Sequence, residues 1–444
     1  MPTRIYSLPP ELLLAIFEYT VSPSAVDSQT SPRSESESTV SSAEVWPDVF
    51  DVNHGPWVLG QVCSKWRSIS LSLPYLWSAF YLRLPQHEEN AVDVLRAWLD
   101  RSGNTPLQFQ ITATAAFCGQ QSLLTVLAAA SHRWQSVALV DVSMGFLDAL
   151  ATQREIQNSS FPLLQELSFL SRNSESDFDI SVVEDSPTAL EIFLNAPKLN
   201  TLVNLDSASP STFQFPWNQL TTYVGSEASH TIDHLEVMLL CPNLVECDVA
   251  FREFRNWPAV SSLPLLKLKK WTIRTCSATT DVYALLSRTD IQVPQLKELS
   301  LLAGPYSLDP ALNLLYPALC SSRSQLEYLE LSGKTESESF SRFLEISGTI
   351  THIRIWMDSV AILPPKNLLP MLNTLELGLT EQKDIYELDM TALADVVRFR
   401  LESDCVQSIQ KLNIVVGERE TSIVRPPIME VLEEEGLLIQ VCSK

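Results

Sequence analysis

The residues closest to a metal site are His230-x-x-x-His234 followed by Cys241 and Cys247. Helical spacing puts both histidines on one face. However, the stretch "LEVMLL" between them and the cysteines reads as the buried side of a helix, and Cys247 falls at a strand-core position. Structural zinc sites favour tight cysteine pairs, and five residues separate these two. The simpler reading is core cysteines and surface histidines, with no metal. No Gly-x-Ser-x-Gly elbow, Walker-type loop or His-Glu-x-x-His motif occurs. The 12 glycines form no phosphate-cradling loop. Glu433, Glu434 and Glu435 end the helical "PPIMEVLEEEG" as a solvated terminus before Gly436. The chain is read as non-catalytic and without a cofactor.

The densest basic cluster is Lys267, Lys269, Lys270 and Arg274. Strand alternation places part of it on one face, where it suits a small acidic patch on a partner. The formal net charge of −22 opposes binding to a phosphate backbone, so no nucleic acid is expected. That charge suits solubility and basic partners.

Apolar side chains at helical spacing suit docking rather than catalysis. In "LPPELLLAIF", from Leu8 to Phe17, Pro10 sits where a first-turn proline is tolerated. Glu11 favours the positive end of the helix dipole. Leu12, Leu13, Ile16 and Phe17 recur at three- and four-residue spacing as one stripe. A second helix, Val62 to Ile69, carries Val62, Cys63, Trp66 and Ile69 in the same way, continuing Leu59. Lys65 and Arg67 fall outside that stripe. A third piece, "LPYLW" from Leu73 to Trp77, reads as a short closing helix.

These three pieces, in this order, resemble an F-box over about residues 4–82. The resemblance implies docking on the Skp-type adaptor of a cullin–RING ubiquitin ligase. Leu8, Pro9, Leu12, Ile16 and Phe17 would meet that adaptor from the first helix, and Val62, Cys63, Trp66 and Ile69 from the second. The chain departs from the family by an insertion at about residues 22–53. Its serine-rich stretch has too few apolar residues to offset its ordering entropy, so disorder is expected there. Ser22 and Ser31 precede prolines, and Ser24, Ser34 and Ser41 have an acidic residue three positions on. Phosphorylation there would add charge to an already acidic segment, but a passive spacer is the simpler reading.

Beyond the F-box the chain repeats a Leu-x-x-Leu core. Its second anchors are Leu167, Leu202, Cys247, Trp271, Leu299, Leu329, Ile353, Leu375 and Leu412, with a weaker copy at Tyr223. Intervals in the twenties to thirties fit irregular leucine-rich repeats. Helical stretches such as "ASHTIDHLEVMLLCP", "SPTALEIFLNAP", "TTDVYALLSRTD" and "SESFSRFLEIS" fall between cores. Strand-like "LWSAFYL", "PLQFQIT" and "WQSVALVDV" look like the first turns of the same array. The expected fold is α/β: a helical F-box at 1–82, then a leucine-rich-repeat-like solenoid at 83–444.

An F-box followed by such repeats resembles the F-box/leucine-rich-repeat substrate receptors of SCF-type ubiquitin ligases. In that family the repeats hold the protein to be ubiquitinated. Strand residues between anchors would face it: Glu246, Asp248, Lys270, Arg274, Glu298, Tyr328, Glu330, His352, Arg354, Trp356 and Glu376. Tyr328 and Trp356 are the candidate anchors, although Trp271 and Trp356 could equally pack between repeats. The alternative is an interaction scaffold with a vestigial F-box and no role in ubiquitination. Eight scattered cysteines suggest free thiols in a reducing compartment, and no apolar window suggests a membrane span. The expected location is cytoplasmic, nuclear or both.

Overall fold

The computed structural model describes residues 8–21, 46–84, 90–113, 121–157, 160–170, 191–203, 213–225, 231–251, 261–275, 289–335, 337–345, 348–357, 369–379, 395–400, 407–416, 427–434 and 436–443. The serine-rich stretch to residue 45, His230 and the segment "TTDVYALLSRTD" up to residue 288 lie outside them. So does "SPTALEIFLNAP" up to residue 190, and its remainder forms turns rather than the expected helix. The chain divides into two compact units, 1–219 and 220–444.

The first unit opens with α1 (Pro10–Val21), α2 (Pro56–Val62), α3 (Ser64–Leu71) and a tight 3-10 turn, Pro74–Trp77. The expected single helix over 62–69 is thus two. Cys63 is extended (φ −163°, ψ 170°), and its Sγ accepts from the Trp66 amide at 3.4 Å, capping α3. Gly55 adopts φ 62° just before Pro56, in the left-handed region that favours glycine. Strand β1 (Ala79–Leu84) follows, then α4 (Ala91–Arg101), β2 (Leu107–Ala113), α5 (Gln121–Ala129) and β3 (Trp134–Val140). The unit continues through α6 (Met144–Ala151), α7 (Arg154–Gln157), β4 (Glu166–Leu170) and β5 (Thr201–Val203).

The five strands are parallel and lie in chain order. Parallel neighbours need a crossover between them, and α4 and α5 supply it after β1 and β2. Phe80, Phe109, Val137, Leu167 and Leu202 stand in one register column, and all are buried. Each such side chain contributes about 1.5–3 kcal/mol of burial energy. Arg133 closes the turn after α4: its guanidinium donates to the Leu99 and Thr105 carbonyls and to Ser102 Oγ.

Residues 46–53, expected as the tail of the insertion, belong to the folded unit. The Val49 amide donates to the Tyr81 carbonyl and the Tyr81 amide to the Pro47 carbonyl, so Asp48 bridges to β1. Val49 is buried, and Trp57 Nε1 donates to its carbonyl. This apolar anchoring offsets the entropy of ordering residues 46–53.

The second unit contains β6 (Thr222–Val224), α8 (Thr231–Leu240), β7 (Glu246–Phe251), β8 (Ser262–Pro264), β9 (Lys270–Thr275), β10 (Asp290–Gln292) and β11 (Glu298–Ser307). It continues with α9 (Asp309–Ser322), β12 (Tyr328–Lys334), α10 (Ser337–Glu345), β13 (His352–Met357), β14 (Thr374–Leu379), β15 (Lys411–Val416), α11 (Pro427–Glu434) and β16 (Leu438–Ser443). Its sheet is parallel throughout, in the order β6-β7-β9-β11-β12-β13-β14-β15-β16. Strands β8 and β10 pair separately. Tyr223, Cys247, Trp271, Leu299, Leu329, Ile353, Leu375 and Leu412 are consecutive register partners and buried, and Ile439 extends the column. The repeat anchors therefore form one apolar column, which makes the architecture an α/β, leucine-rich-repeat-like stack.

Candidate functional site

The candidate residues fall on two surfaces, one in each unit. The first is the helical N-terminal module. Phe17 and Trp66 stack edge-to-face at 5.0 Å in its core, with 0% and 8% of their surface exposed. They hold α1 against α3 and do not present themselves to a partner. Lys65 Nζ reaches the Leu8 carbonyl at 3.1 Å, tying the start of α1 to α3 as well. Leu12 is 52% exposed and Val62 45%, and Pro9 also lies open. Leu8, Ile16, Cys63 and Ile69 are half-buried. The nine residues thus sort into a core pair, a partly buried set and an exposed apolar set.

The module packs directly on the strands through tryptophan. Trp57, Trp77 and Trp98 meet edge-to-face at 5.1 to 5.6 Å. Trp77 Nε1 donates to the Ser70 carbonyl and Trp98 Nε1 to the Trp77 carbonyl. The Arg101 guanidinium lies 4.3 Å from the Trp57 ring and 4.7 Å from Trp77. Burial lowers its pKa from the ordinary value.

The second surface is the sheet face opposite the anchor column in the second unit. Glu330, Arg354 and Glu376 are register partners on β12, β13 and β14. Arg354 Nη2 pairs with Glu376 Oε1 at 2.8 Å, and Nη1 lies 3.5 Å from Glu330 Oε1. The carboxylates are nearly enclosed, with side-chain exposures of 16% for Glu330 and 6% for Glu376. Ser300 Oγ, Tyr328 Oη and Trp356 Nε1 all donate to Glu330, at 3.1, 3.3 and 2.9 Å. His352 Nε2 lies 3.3 Å from Glu376 Oε2, and its ring meets Tyr328 edge-to-face at 4.9 Å.

Burial pushes the Tyr328 phenol up, and the Glu330 charge adds to that. Burial pushes His352 down, outweighing the hydrogen bond to Glu376, so the imidazole is neutral near pH 7. Burial opposes the charge on Arg354, but Glu376, Tyr328 and Glu330 together raise its pKa. Trp356 lies over Gly378, where an added Cβ would come within 2.2 Å of the indole Cε3. The indole can rest there because position 378 has no side chain. Trp271, by contrast, is fully buried in the anchor column.

Two members of the basic cluster meet acids on the face. Arg274 is ion-paired with Asp248, and Lys270 lies 4.0 Å from Glu298. Lys267 donates to Asn243 Oδ1 at 2.7 Å. Lys267, Lys269 and Lys270 lie exposed at the start of β9. Burial pushes Asp248 up to about 6, against the pull of Arg274 and Lys270.

His234 is buried, with Nδ1 2.8 Å from Tyr223 Oη, so the expected surface position is corrected: the ring sits against Gly225 in the interior. Burial pushes the Cys241 thiol up to about 12 and raises Cys247 as well, which disfavours thiolate ligands. Among the described residues no group of three or more His, Cys, Asp and Glu could hold a metal ion, and no helix is long and apolar enough to cross a membrane.

No family model and no curated protein matches the chain. Among solved structures, CroV588, a circular LRR protein, is similar at 11% identity, with a TM-score of 0.29. The match covers 82% of this chain and 51% of that one, so the chain spans about half the length of its neighbour. The fold assignment rests on strand register and anchor burial.

Proposed function

We propose that the chain is a non-catalytic substrate-recognition adaptor of a cullin–RING ubiquitin ligase. The N-terminal helices dock on a Skp-type adaptor. The open sheet face of the second unit holds the protein to be ubiquitinated, within the cytoplasm or nucleus. The observation that carries this reading is the sorting of the helical module. A Phe17–Trp66 core leaves Pro9, Leu12 and Val62 outside as an apolar set, in a segment whose motif order resembles an F-box. Apolar residues left exposed together outside a folded core mark a surface for a protein partner.

A second reading is a scaffold that binds proteins through the same face without ubiquitination. The cross-strand network around Glu330 favours it, because that network does not depend on the helices. Affinity capture of the full chain from cells separates the two. Recovery of a cullin and a Skp-type adaptor, lost in a Leu12→Ala/Val62→Ala chain, supports the ligase reading. Capture of neither by a folded parent removes it and leaves the scaffold.

A further inference from the structure

Arginines of the first unit spend their donors in different ways. Arg67 Nε donates to the Gly60 carbonyl at 2.7 Å, and Arg96 pairs with Asp93 at 2.7 Å. Arg133 gives its guanidinium to the turn after α4. Arg101, in the last turn of α4, does none of this. Its guanidinium lies against two tryptophans, 4.3 Å from the Trp57 ring and 4.7 Å from the Trp77 ring. Among the described residues it makes no hydrogen bond and no ion pair. Burial lowers its pKa, and no neighbouring charge contributes. The side chain still reaches the surface. Arg101 and Trp57 are partly exposed, and Gly103 and Asn104 in the following turn are exposed.

Aromatic rings attract the guanidinium as a cation but accept none of its in-plane N–H groups. Those donors are left for another acceptor. The rings are themselves fixed, because Trp57 Nε1 donates to the Val49 carbonyl and Trp77 Nε1 to the Ser70 carbonyl. A guanidinium held on such rings has already lost much of its rotamer freedom, about 2 kcal/mol in a free side chain, before any ligand arrives. A carboxylate matches the fork with two oxygens and a single charge. A phosphoryl group is met by clusters of arginines, and no second cation acts on Arg101.

We infer that Arg101 is a docking point for the carboxylate of an aspartate or glutamate side chain on a protein that binds the first unit, held ready by Trp57 and Trp77. The inference goes beyond the ligase reading and does not depend on it, because Arg101 lies outside the residues assigned to the Skp-type adaptor. The net charge of −22 does not oppose a contact of this kind, since salt screens exposed charges beyond about 8 Å.

The test uses the full chain with 15N-labelled arginine side chains, the Arg101 Nε resonance being assigned by its loss in Arg101→Lys, which keeps the charge. The probe is the blocked tripeptide acetyl-Gly-Glu-Gly-amide at constant ionic strength, beside its glutamine and phosphoserine analogues. The exposed, acid-paired Arg96 is the internal control. The expected result is a saturable shift at Arg101 with the glutamate peptide, a smaller one at Arg96, and binding about fivefold weaker for glutamine. No shift at Arg101, equal responses to glutamate and glutamine, or equal shifts at Arg96 and Arg101 overturn the inference. Phosphoserine bound more than about tenfold tighter than glutamate overturns the choice of a carboxylate.

Discussion

Gly378 and Asp248 show how single residues set the character of the sheet face. A Cβ at position 378 would occupy the space of the Trp356 ring, so Gly378→Ala must lift the indole from the sheet and break its bond to Glu330. The expected cost is about 1–3 kcal/mol, read from a urea midpoint, with a red-shifted tryptophan emission. An unchanged midpoint and emission would show that the indole rests elsewhere. Asp248 makes a statement about pH. Its folded pKa of about 6 lies above the ordinary 3.8, so the folded state binds the proton more tightly. Its stabilising contribution is therefore complete below about pH 4 and is lost as pH rises through 6. Asp248→Asn resembles the protonated acid and should gain on the parent by about 1–3 kcal/mol between pH 4 and pH 7. Urea unfolding at both pH values checks this. A variant that loses ground over that interval would mean that Arg274 dominates.

At the scale of elements, the N-terminal module separates core from contact. Trp66→Ala empties a buried site and should cost about 3–5 kcal/mol, seen as early melting of the helical signal. Trp66→Phe should cost less, about 1–2 kcal/mol, because it leaves a smaller cavity and the buried Nε1 has no hydrogen-bond partner among the described residues to lose. Equal losses in both variants would point to a partner for that nitrogen. Much of this scale was legible beforehand. The anchors from Leu167 to Leu412 could be read because alternation and spacing are local signals, and register turned them into columns. Helix α9 was not legible, since Pro317 lies inside it and proline argues against a helix interior. The break at Cys63 was hidden because the apolar stripe runs through it. A cysteine acting as a cap is an unusual signal. The network around Glu330 was legible only as separate residues. Ser300 and Gly378 join it through neighbouring strands, and their place there needs the register.

At the scale of the molecule, each unit stacks its strands in parallel about buried anchors, so each repeat depends on its neighbours. The helical module presents the exposed apolar Leu12 and Val62, whereas the sheet face of the second unit presents the ion pairs around Arg354. The two surfaces therefore suit different partners, which is what an adaptor requires. The most direct test of this account is calorimetric titration of the purified full chain with a purified Skp-type adaptor. It is run beside Leu12→Ala/Val62→Ala, whose exposed sites leave the unfolding midpoint unchanged. The account predicts that the parent binds and that the variant loses about 2 kcal/mol or more of binding energy. No heat of binding from a folded parent, or equal affinity in the variant, would contradict it.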